Sequence, residues 1–293
     1  MSYRSIFRDG LFAGWHAVVT GGGSGIGRCT AHELAALGAA VALVGRRPEK
    51  LAAVAEEIAA AGAIRPTIHA CDIRVEEEVE RTVGEILAAH PRIDALVNNA
   101  GGQFSAPLKD ISQKGWETVI RTNLTGGFLM ARECFRRSME AHGGAIVNII
   151  ADMWQSMPGM GHSGAARAGM LNFTMTAALE WAHAGVRVNA VAPGWIASSG
   201  MTTYPVEMRP RFQTLWRQVP LKRLGTESEV SAAIVFLLSE AASFISGSCL
   251  RVDGAVPNAR SNWPVPDHDR STPYYGFPLE APPDFLRRED GRV

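Results

Sequence analysis

The chain has 293 residues, of which 46% are hydrophobic and 20% charged, a composition typical of a globular protein with a substantial core. Its 29 Lys and Arg balance its 29 Asp and Glu, so it lacks the basic excess of a nucleic-acid-binding protein. The four cysteines show no CxxC spacing, which argues against a zinc site or a disulfide framework. We therefore expect no metal and a reducing compartment.

Targeting signals are not evident. No apolar run approaches the ~20 residues that a membrane span requires. The N-terminal stretch MSYRSIFRDGLF carries charges where a signal peptide is apolar, and the C-terminal GRV is no peroxisomal address. These features predict a cytoplasmic protein with no membrane partner.

Short β-branched runs alternate with longer helical patterns along most of the chain. The predicted strands are 16–20, 40–45, 67–73, 93–101, 145–150, 186–193 and 248–254. The predicted helices are 28–37, 48–62, 76–90, about 114–142 with an interruption near NLTGG, about 163–183, and 226–240. Thr226 and Glu229 form a capping box at the last of these. The alternation predicts an α/β fold: a single-domain, Rossmann-like, doubly wound parallel sheet with helices on both faces, over residues 1–256.

Residues 257–293 form a tail of different composition, rich in Pro and aromatic residues. Two interpretations remain open: a disordered end, and a strap that is ordered against a subunit. The aromatic content favours ordering, because disordered segments are usually poor in aromatic residues.

A nucleotide site is indicated by the stretch TGGGSGIG (20–27), between a predicted strand and a predicted helix. Its glycines allow the backbone to approach a pyrophosphate, and the helix N-terminus favours that negative charge; a plain tight turn is the alternative. Asp72 and the run 98–101 follow two other strands, where ligands bind in open α/β sheets. Arg46 and Arg47 stand where an acidic residue would bind the ribose of NAD. They favour NADP, whose 2′-phosphate Arg can bind, unless they are merely solvated charges.

The glycine loop, NNAG at 98–101, TNLTG at 122–126 and PG at 193–194 resemble the motifs of the short-chain dehydrogenase/reductase family, across about residues 14–256. The resemblance implies a homotetramer and a catalytic set of Asn, Ser, Tyr and Lys. Asn123 matches, but Ile150, Ser163 and Arg167 occupy the Ser, Tyr and Lys positions. The implied cofactor contacts are Gly21, Ser24, Gly25, Ile26, Gly27, Arg46, Arg47, Asp72, Ile73, Asn99, Ala100, Gly101, Arg167, Pro193, Gly194 and Ile196.

Longer phrases indicate a subgroup. AGGQF (100–104), SQKGW (112–116), HSGAARAGM (162–170) and VPDHD (265–269) resemble the peroxisomal-type trans-2-enoyl-CoA reductases and their bacterial relatives. The resemblance implies an NADPH-dependent oxidoreductase of fatty acid metabolism that reduces the C=C bond of an acyl-thioester substrate. Two alternatives remain: an alcohol or aldehyde dehydrogenase of the same family, acting for example on a terpenoid, and an NADP-binding member without catalytic activity.

Enoyl reduction develops charge on the thioester oxygen, which needs hydrogen-bond donors more than a strong acid. We expect Ser163, supported by the Arg167 charge, to act at that oxygen, and Asp152 or His162 to relay a proton. The structural alternatives are a helix cap for Ser163, a loop residue for His162 and a turn residue for Asp152. Expected substrate contacts are Gln103, Phe104, Met153 and Trp154. Tyr204, Tyr274 and Tyr275 are the candidates for a phenol supplied from a lid or a neighbouring subunit.

Overall fold

The computed structural model describes residues 2–288. Seven strands form one sheet in the order β3-β2-β1-β4-β5-β6-β7, and every neighbouring pair is parallel. The strands are β1 His16–Thr20, β2 Ala40–Gly45, β3 Thr67–Ala70, β4 Ala95–Asn98, β5 Gly144–Ile149, β6 Val186–Pro193 and β7 Cys249–Val252. The predicted doubly wound α/β fold is therefore confirmed.

Helices cover both faces of the sheet. They are α1 Gly25–Ala36, α2 Pro48–Ala60, α3 Glu76–Ala89, α4 Gln113–Ile120, α5 Gly126–Cys134, α6 Glu140–His142, α7 Gly161–Glu180, α8 Arg209–Thr214 and α9 Glu227–Leu238. Apolar residues of α1, α2 and α9 form the core on one face, and those of α3, α5 and α7 form it on the other. Because strand order reverses between β1 and β4, a crevice for ligands opens at the carboxyl ends of these strands.

Several element boundaries differ from the prediction. Helix α1 begins three residues early, because the glycine loop supplies its first turn: the Arg28 N–H donates to the Ser24 carbonyl at 3.2 Å. Strand β3 ends at Ala70, before Asp72, whose N–H donates to the Glu78 carboxylate instead of pairing in the sheet. The long helix is not interrupted at NLTGG; it continues through two π-helical segments, Arg121–Thr125 and Phe135–Met139.

The described part of the tail lies along the body of its own subunit. Phe277 is 2% exposed and stacks on Tyr3, with ring centroids 6.0 Å apart. Phe285 and Leu286 pack on the segment between β6 and α9. Met1 and residues 289–293, the end of the predicted tail, lie outside the described residues. Within residues 2–288 we find no helix with the length and apolarity of a membrane span.

Candidate active site

Hydrogen bonds join the glycine loop after β1 to the loop after β4. The Thr20 hydroxyl accepts from the Asn99 and Ala100 N–H groups, both at 3.0 Å, and the Asn99 amide donates to the Thr20 carbonyl. Gly21 has φ +67°, and a Cβ on it would lie 2.9 Å from Ala100 Cα. The two loops therefore approach each other closely only because this position is glycine.

A cleft opens above these loops. Its lining includes the predicted cofactor residues Gly21, Ser24, Gly25, Ile26, Arg46, Arg47, Asn99, Ala100 and Gly101. It also includes Lys50 and the run 198–200, which sequence reasoning missed because no local motif marks them. Within residues 2–288, the side chain of the N-cap residue Ser24 makes no hydrogen bond to the first turn of α1. The backbone N–H groups of that turn therefore remain available to an anion. The cleft thus fits a nicotinamide dinucleotide, with its pyrophosphate at α1.

The other predicted cofactor residues do not line this cleft. The Asp72 carboxylate accepts from Arg74 Nε at 2.8 Å, and Ile73 and Ile196 are buried in the apolar core. Gly27 lies in α1, where a Cβ would come 2.5 Å from the Gly21 carbonyl oxygen. Of the remaining three, Pro193 ends β6, Gly194 follows it beside Asp253, and Arg167 lies in α7 next to Gly101.

Asn123 lies in the first π-helical segment and is 2% exposed. Its side-chain oxygen accepts from the Gly102 N–H at 2.9 Å, and its Nδ2 donates to the Gly102 carbonyl at 3.0 Å. Both backbone groups of Gly102 are thereby satisfied by one side chain. Asn123 therefore fixes the loop that follows β4 at the edge of the site.

Ser163 does not cap α7, because the helix begins two residues earlier, at Gly161. Its side chain is fully buried, and its Oγ donates to Gln103 Oε1 at 2.5 Å. Gln103 Nε2 in turn donates to the Tyr204 hydroxyl at 2.7 Å. One amide group thus connects the serine of α7 to a tyrosine of the segment between β6 and α9.

Arg167 lies one helical turn after Ser163 and points toward the loop after β4. Its Nη1 donates to the Ile149 carbonyl at 2.6 Å, while its Nε has no partner among residues 2–288. A Cβ on Gly101 would lie 2.6 Å from Arg167 Nη2, so glycine there admits the guanidinium. Burial lowers the pKa of Arg167 to about 10, an effect that Tyr204 partly offsets. Arg167 therefore remains a cation at neutral pH, with a partly buried side chain whose Nε is enclosed.

The two other catalytic candidates do not contact Ser163 Oγ or Arg167 within the described chain. The His162 ring is buried, accepts from the Ser163 N–H at 2.8 Å and packs edge-on against Phe104 at 4.4 Å. Asp152 has a raised pKa because it is partly buried and faces the charge of Asp253. It therefore belongs to a carboxylate pair beside β7 rather than to the Ser163 cluster.

Three of the four predicted substrate contacts are apolar and lie outside the lining of the cofactor cleft. Phe104 and Trp154 are 40% and 43% exposed, and Met153 packs against the cluster that contains the buried Ile150. Since Ile150 is 3% exposed and apolar, it provides no hydrogen-bond donor where the family usually has its Ser. Near Ser163 the structure therefore combines a partly buried cation, Arg167, with the hydroxyls of Ser163 and Tyr204.

Comparison with known proteins identifies the family. A family model described as enoyl-(acyl carrier protein) reductase matches residues 21–256. The chain belongs to the short-chain dehydrogenase/reductase family. It is thus an oxidoreductase of a family that uses nicotinamide cofactors.

The family members similar to this chain differ in their named substrates. A solved citronellol catabolism dehydrogenase of Pseudomonas aeruginosa PAO1 is 62% identical, with a TM-score of 0.79, covering 87% of this chain and 99% of that one. A probable 2,4-dienoyl-CoA reductase of Bacillus subtilis is 36% identical over 81% of this chain and 94% of its own length. A glucose 1-dehydrogenase of Gluconobacter oxydans is 37% identical over 86% and 96%.

Proposed function

We propose that this short-chain dehydrogenase/reductase is an NADPH-dependent reductase of the C=C bond in a trans-2-enoyl thioester. The observation that carries the proposal is Arg167, a partly buried cation beside the Gly101 backbone. It has no carboxylate partner among residues 2–288, and its buried Nε is unpaired there. A partly desolvated charge without a counter-ion is costly, and an anion that forms during the reaction would compensate it.

Enoyl reduction forms such an anion. A bound nicotinamide cofactor would supply the hydride to Cβ. The C=C electron pair would then form the Cα–carbonyl double bond of an enolate, and the carbonyl π pair would become the negative charge on the thioester oxygen. Addition of a proton from solvent at Cα completes the reduction. The positive charge of Arg167 stabilises the negative thioester oxygen electrostatically. The Asn123–Gly102 hydrogen bonds hold the adjoining loop in place. A carbonyl reductase of the family's usual type takes its acid from position 163, where this chain has a serine hydroxyl that is far too weak an acid.

The preference for NADPH is supported by Arg46 and Arg47, which are exposed on the wall of the cleft at the end of β2. A guanidinium there binds a 2′-phosphate by charge-assisted hydrogen bonds. The exposed apolar side chains of Phe104 and Trp154 suit an acyl chain, and the dienoyl-CoA reductase relative is named for a conjugated thioester. The family resemblance also supports a homotetramer.

The second candidate is oxidation of a branched terpenoid alcohol or reduction of its aldehyde. It is favoured by the 62% identity to a protein named for citronellol catabolism. The same exposed apolar side chains suit a branched hydrocarbon chain. In this case Arg167 would stabilise an alkoxide in place of an enolate.

The experiment compares the two substrate classes with purified protein. NADPH oxidation is followed with trans-2-hexenoyl-CoA, trans-2-decenoyl-CoA and a 3-methyl-branched enoyl-CoA, and NADP⁺ or NAD⁺ reduction with citronellol and 1-octanol. Saturable turnover of an enoyl-CoA with formation of the saturated acyl-CoA supports the first candidate. Turnover of the alcohols alone replaces it with the second. NADPH binding without any turnover would indicate a non-catalytic member.

A further inference from the structure

We propose that Tyr204, not Ser163, is the hydroxyl that donates a hydrogen bond to the reacting oxygen of the substrate. The inference rests on the proposed function, since it assigns a catalytic residue to that reaction. Tyr204 lies outside α7, in the segment between β6 and α9, and is half-buried. The phenol missing from position 163 would thus be supplied by a different element.

The direction of the hydrogen bonds carries the inference. A serine hydroxyl has one proton, and Ser163 donates it to Gln103 Oε1 at 2.5 Å. Ser163 therefore has no proton left for a substrate oxygen. Tyr204 is in the opposite position, because its oxygen accepts from Gln103 Nε2 at 2.7 Å and keeps its own proton.

The Tyr204 proton has no strong acceptor. Within residues 2–288 it faces only the Met160 sulfur, 3.8 Å from the Tyr204 oxygen, and a thioether is a weak acceptor. A partly buried O–H group without a good acceptor favours a ligand that supplies one. The thioester or alcohol oxygen of the substrate is such an acceptor.

Aromatic contacts also fix the position of the Tyr204 ring. Its ring packs edge-on against Phe212, with centroids 5.3 Å apart, and Phe212 contacts Phe285 of the tail. Through Gln103 the Tyr204 hydroxyl is connected to Ser163, which lies one helical turn before Arg167 in α7. We infer that the hydroxyl and the cation act on the same substrate oxygen from two elements, α7 and the β6–α9 segment.

No bond to Tyr204 forms or breaks in this role. As hydride adds at Cβ, the C=C electron pair forms the enolate double bond and the carbonyl π pair becomes the negative charge on the substrate oxygen. Tyr204 donates a hydrogen bond to that oxygen and retains its proton. Gln103 is a positioning residue, because it orients the tyrosine hydroxyl without contacting the substrate oxygen.

The test compares Tyr204→Phe, Ser163→Ala and the control Tyr275→Phe in the full-length protein. The phenylalanine keeps the ring that packs on Phe212, so the thermal unfolding midpoint and NADPH affinity should stay at the wild-type values. Loss of one oxyanion donor should lower kcat roughly 100-fold with KM little changed. Ser163→Ala should lower kcat less than Tyr204→Phe does, and Tyr275→Phe, an exposed tail residue, should retain wild-type kcat.

Each outcome bears on the proposal. A wild-type protein that turns over its substrate while Tyr204→Phe keeps at least half of that rate overturns the role of Tyr204 and leaves the proposed function standing. A Ser163→Ala variant that is inactive beside an active Tyr204→Phe variant reverses the two roles. A wild-type protein that turns over only alcohols overturns enoyl reduction, and the same variants then test Tyr204 at the alcohol oxygen. A folded, NADPH-binding wild type with no turnover in either substrate class overturns both proposals.

Discussion

Single residues set the chemistry of this site through their immediate partners. Within residues 2–288, the Arg167 guanidinium donates to the Ile149 carbonyl, Ser163 donates its proton to Gln103, and the Tyr204 proton faces only the Met160 sulfur. The residue type alone would not separate the two hydroxyls, since both can donate. Their hydrogen-bond directions assign one to structure and the other to the substrate.

At the cofactor, the double substitution Arg46→Ala/Arg47→Ala should weaken NADPH binding roughly 10- to 100-fold and change NADH binding little. A hydrogen bond to a charged group contributes about 1.5–3 kcal/mol, which corresponds to this range. Fluorescence titration with both cofactors measures it. Arg65→Ala, an exposed arginine paired with Glu56, is the control. Equal losses for NADPH and NADH would contradict recognition of the 2′-phosphate.

Among the elements, α9 has the best-defined N-terminus. The Thr226 hydroxyl accepts from the Glu229 N–H at 3.1 Å, and the Glu229 carboxylate accepts from the Thr226 N–H at 3.0 Å, which confirms the predicted capping box. The tail adds a contact that the sequence pattern did not indicate: the Glu280 carboxylate accepts from the Glu227 N–H at 2.8 Å. Both contacts stabilise the N-terminus of α9, the helix whose apolar residues pack in one core with those of α1 and α2.

Thr226→Ala should lower the free energy of unfolding by about 1 kcal/mol, because it removes the capping oxygen and the hydroxyl that donates to the Tyr274 carbonyl. Urea unfolding followed by circular dichroism measures the change. Thr118→Ala is the matched control, since that exposed hydroxyl only donates to the carbonyl one turn earlier in α4. A similar loss in both variants would argue against a specific contribution of the cap.

The positions of the strands and helices were the features of the fold that the sequence predicted best. Strands β1, β2 and β6 have the predicted limits, because apolar β-branched runs bounded by Gly or Pro leave little choice of register. The extent of β3 and the π-helical segments were missed. Both depend on hydrogen-bond partners outside the segment itself, such as the Glu78 carboxylate of α3, which accepts from the Asp72 N–H.

At the scale of the whole molecule, the tail packs against the N-terminal segment, α1 and α9. Phe277 packs between Tyr3 and His32, and the Arg28 guanidinium lies 5.0 Å from its ring centroid. The Tyr274 hydroxyl donates to the Arg4 carbonyl at 2.7 Å. The Tyr274 hydroxyl is thus engaged by the N-terminal segment, and Tyr275 is 51% exposed on the tail, whereas Tyr204 bonds Gln103 beside Ser163.

Phe277→Ala should destabilise the protein by about 3 kcal/mol, because it leaves a cavity where a nearly fully buried ring was. Thermal and urea unfolding measure the loss. Trp263→Ala removes a tail aromatic that is 79% exposed and serves as the control, with an expected change below about 0.5 kcal/mol. Equal effects in the two variants would contradict the docking of the tail.

A pair of buried carboxyls makes stability depend on pH. Burial and the nearby Glu280 raise the pKa of Glu227 to about 7, and burial also raises the pKa of Glu280. Between about pH 4.5 and 7 the folded protein therefore binds more protons than the unfolded chain, so this contribution to stability falls as pH rises. Glu227→Gln, which cannot ionise, should raise stability at pH 8 by about 1–3 kcal/mol.

The measurement is the thermal unfolding midpoint of wild type and Glu227→Gln from pH 5 to pH 8. The difference should grow with pH and nearly vanish at pH 5. A constant difference across the range would place the effect in packing rather than ionisation. Glu240→Gln, at an exposed glutamate beyond the other end of α9, is the control.

The sequence by itself determined the strand–helix alternation, the glycine loop, the paired arginines after β2 and the loss of the phenol at position 163. These follow from local periodicity and residue type, which neighbouring residues along the chain impose. Only the tertiary structure joined Ser163 to Gln103 across 60 residues and Gln103 to Tyr204 across 101. Such contacts depend on how two loops and a helix meet above the sheet, and no local pattern encodes that meeting.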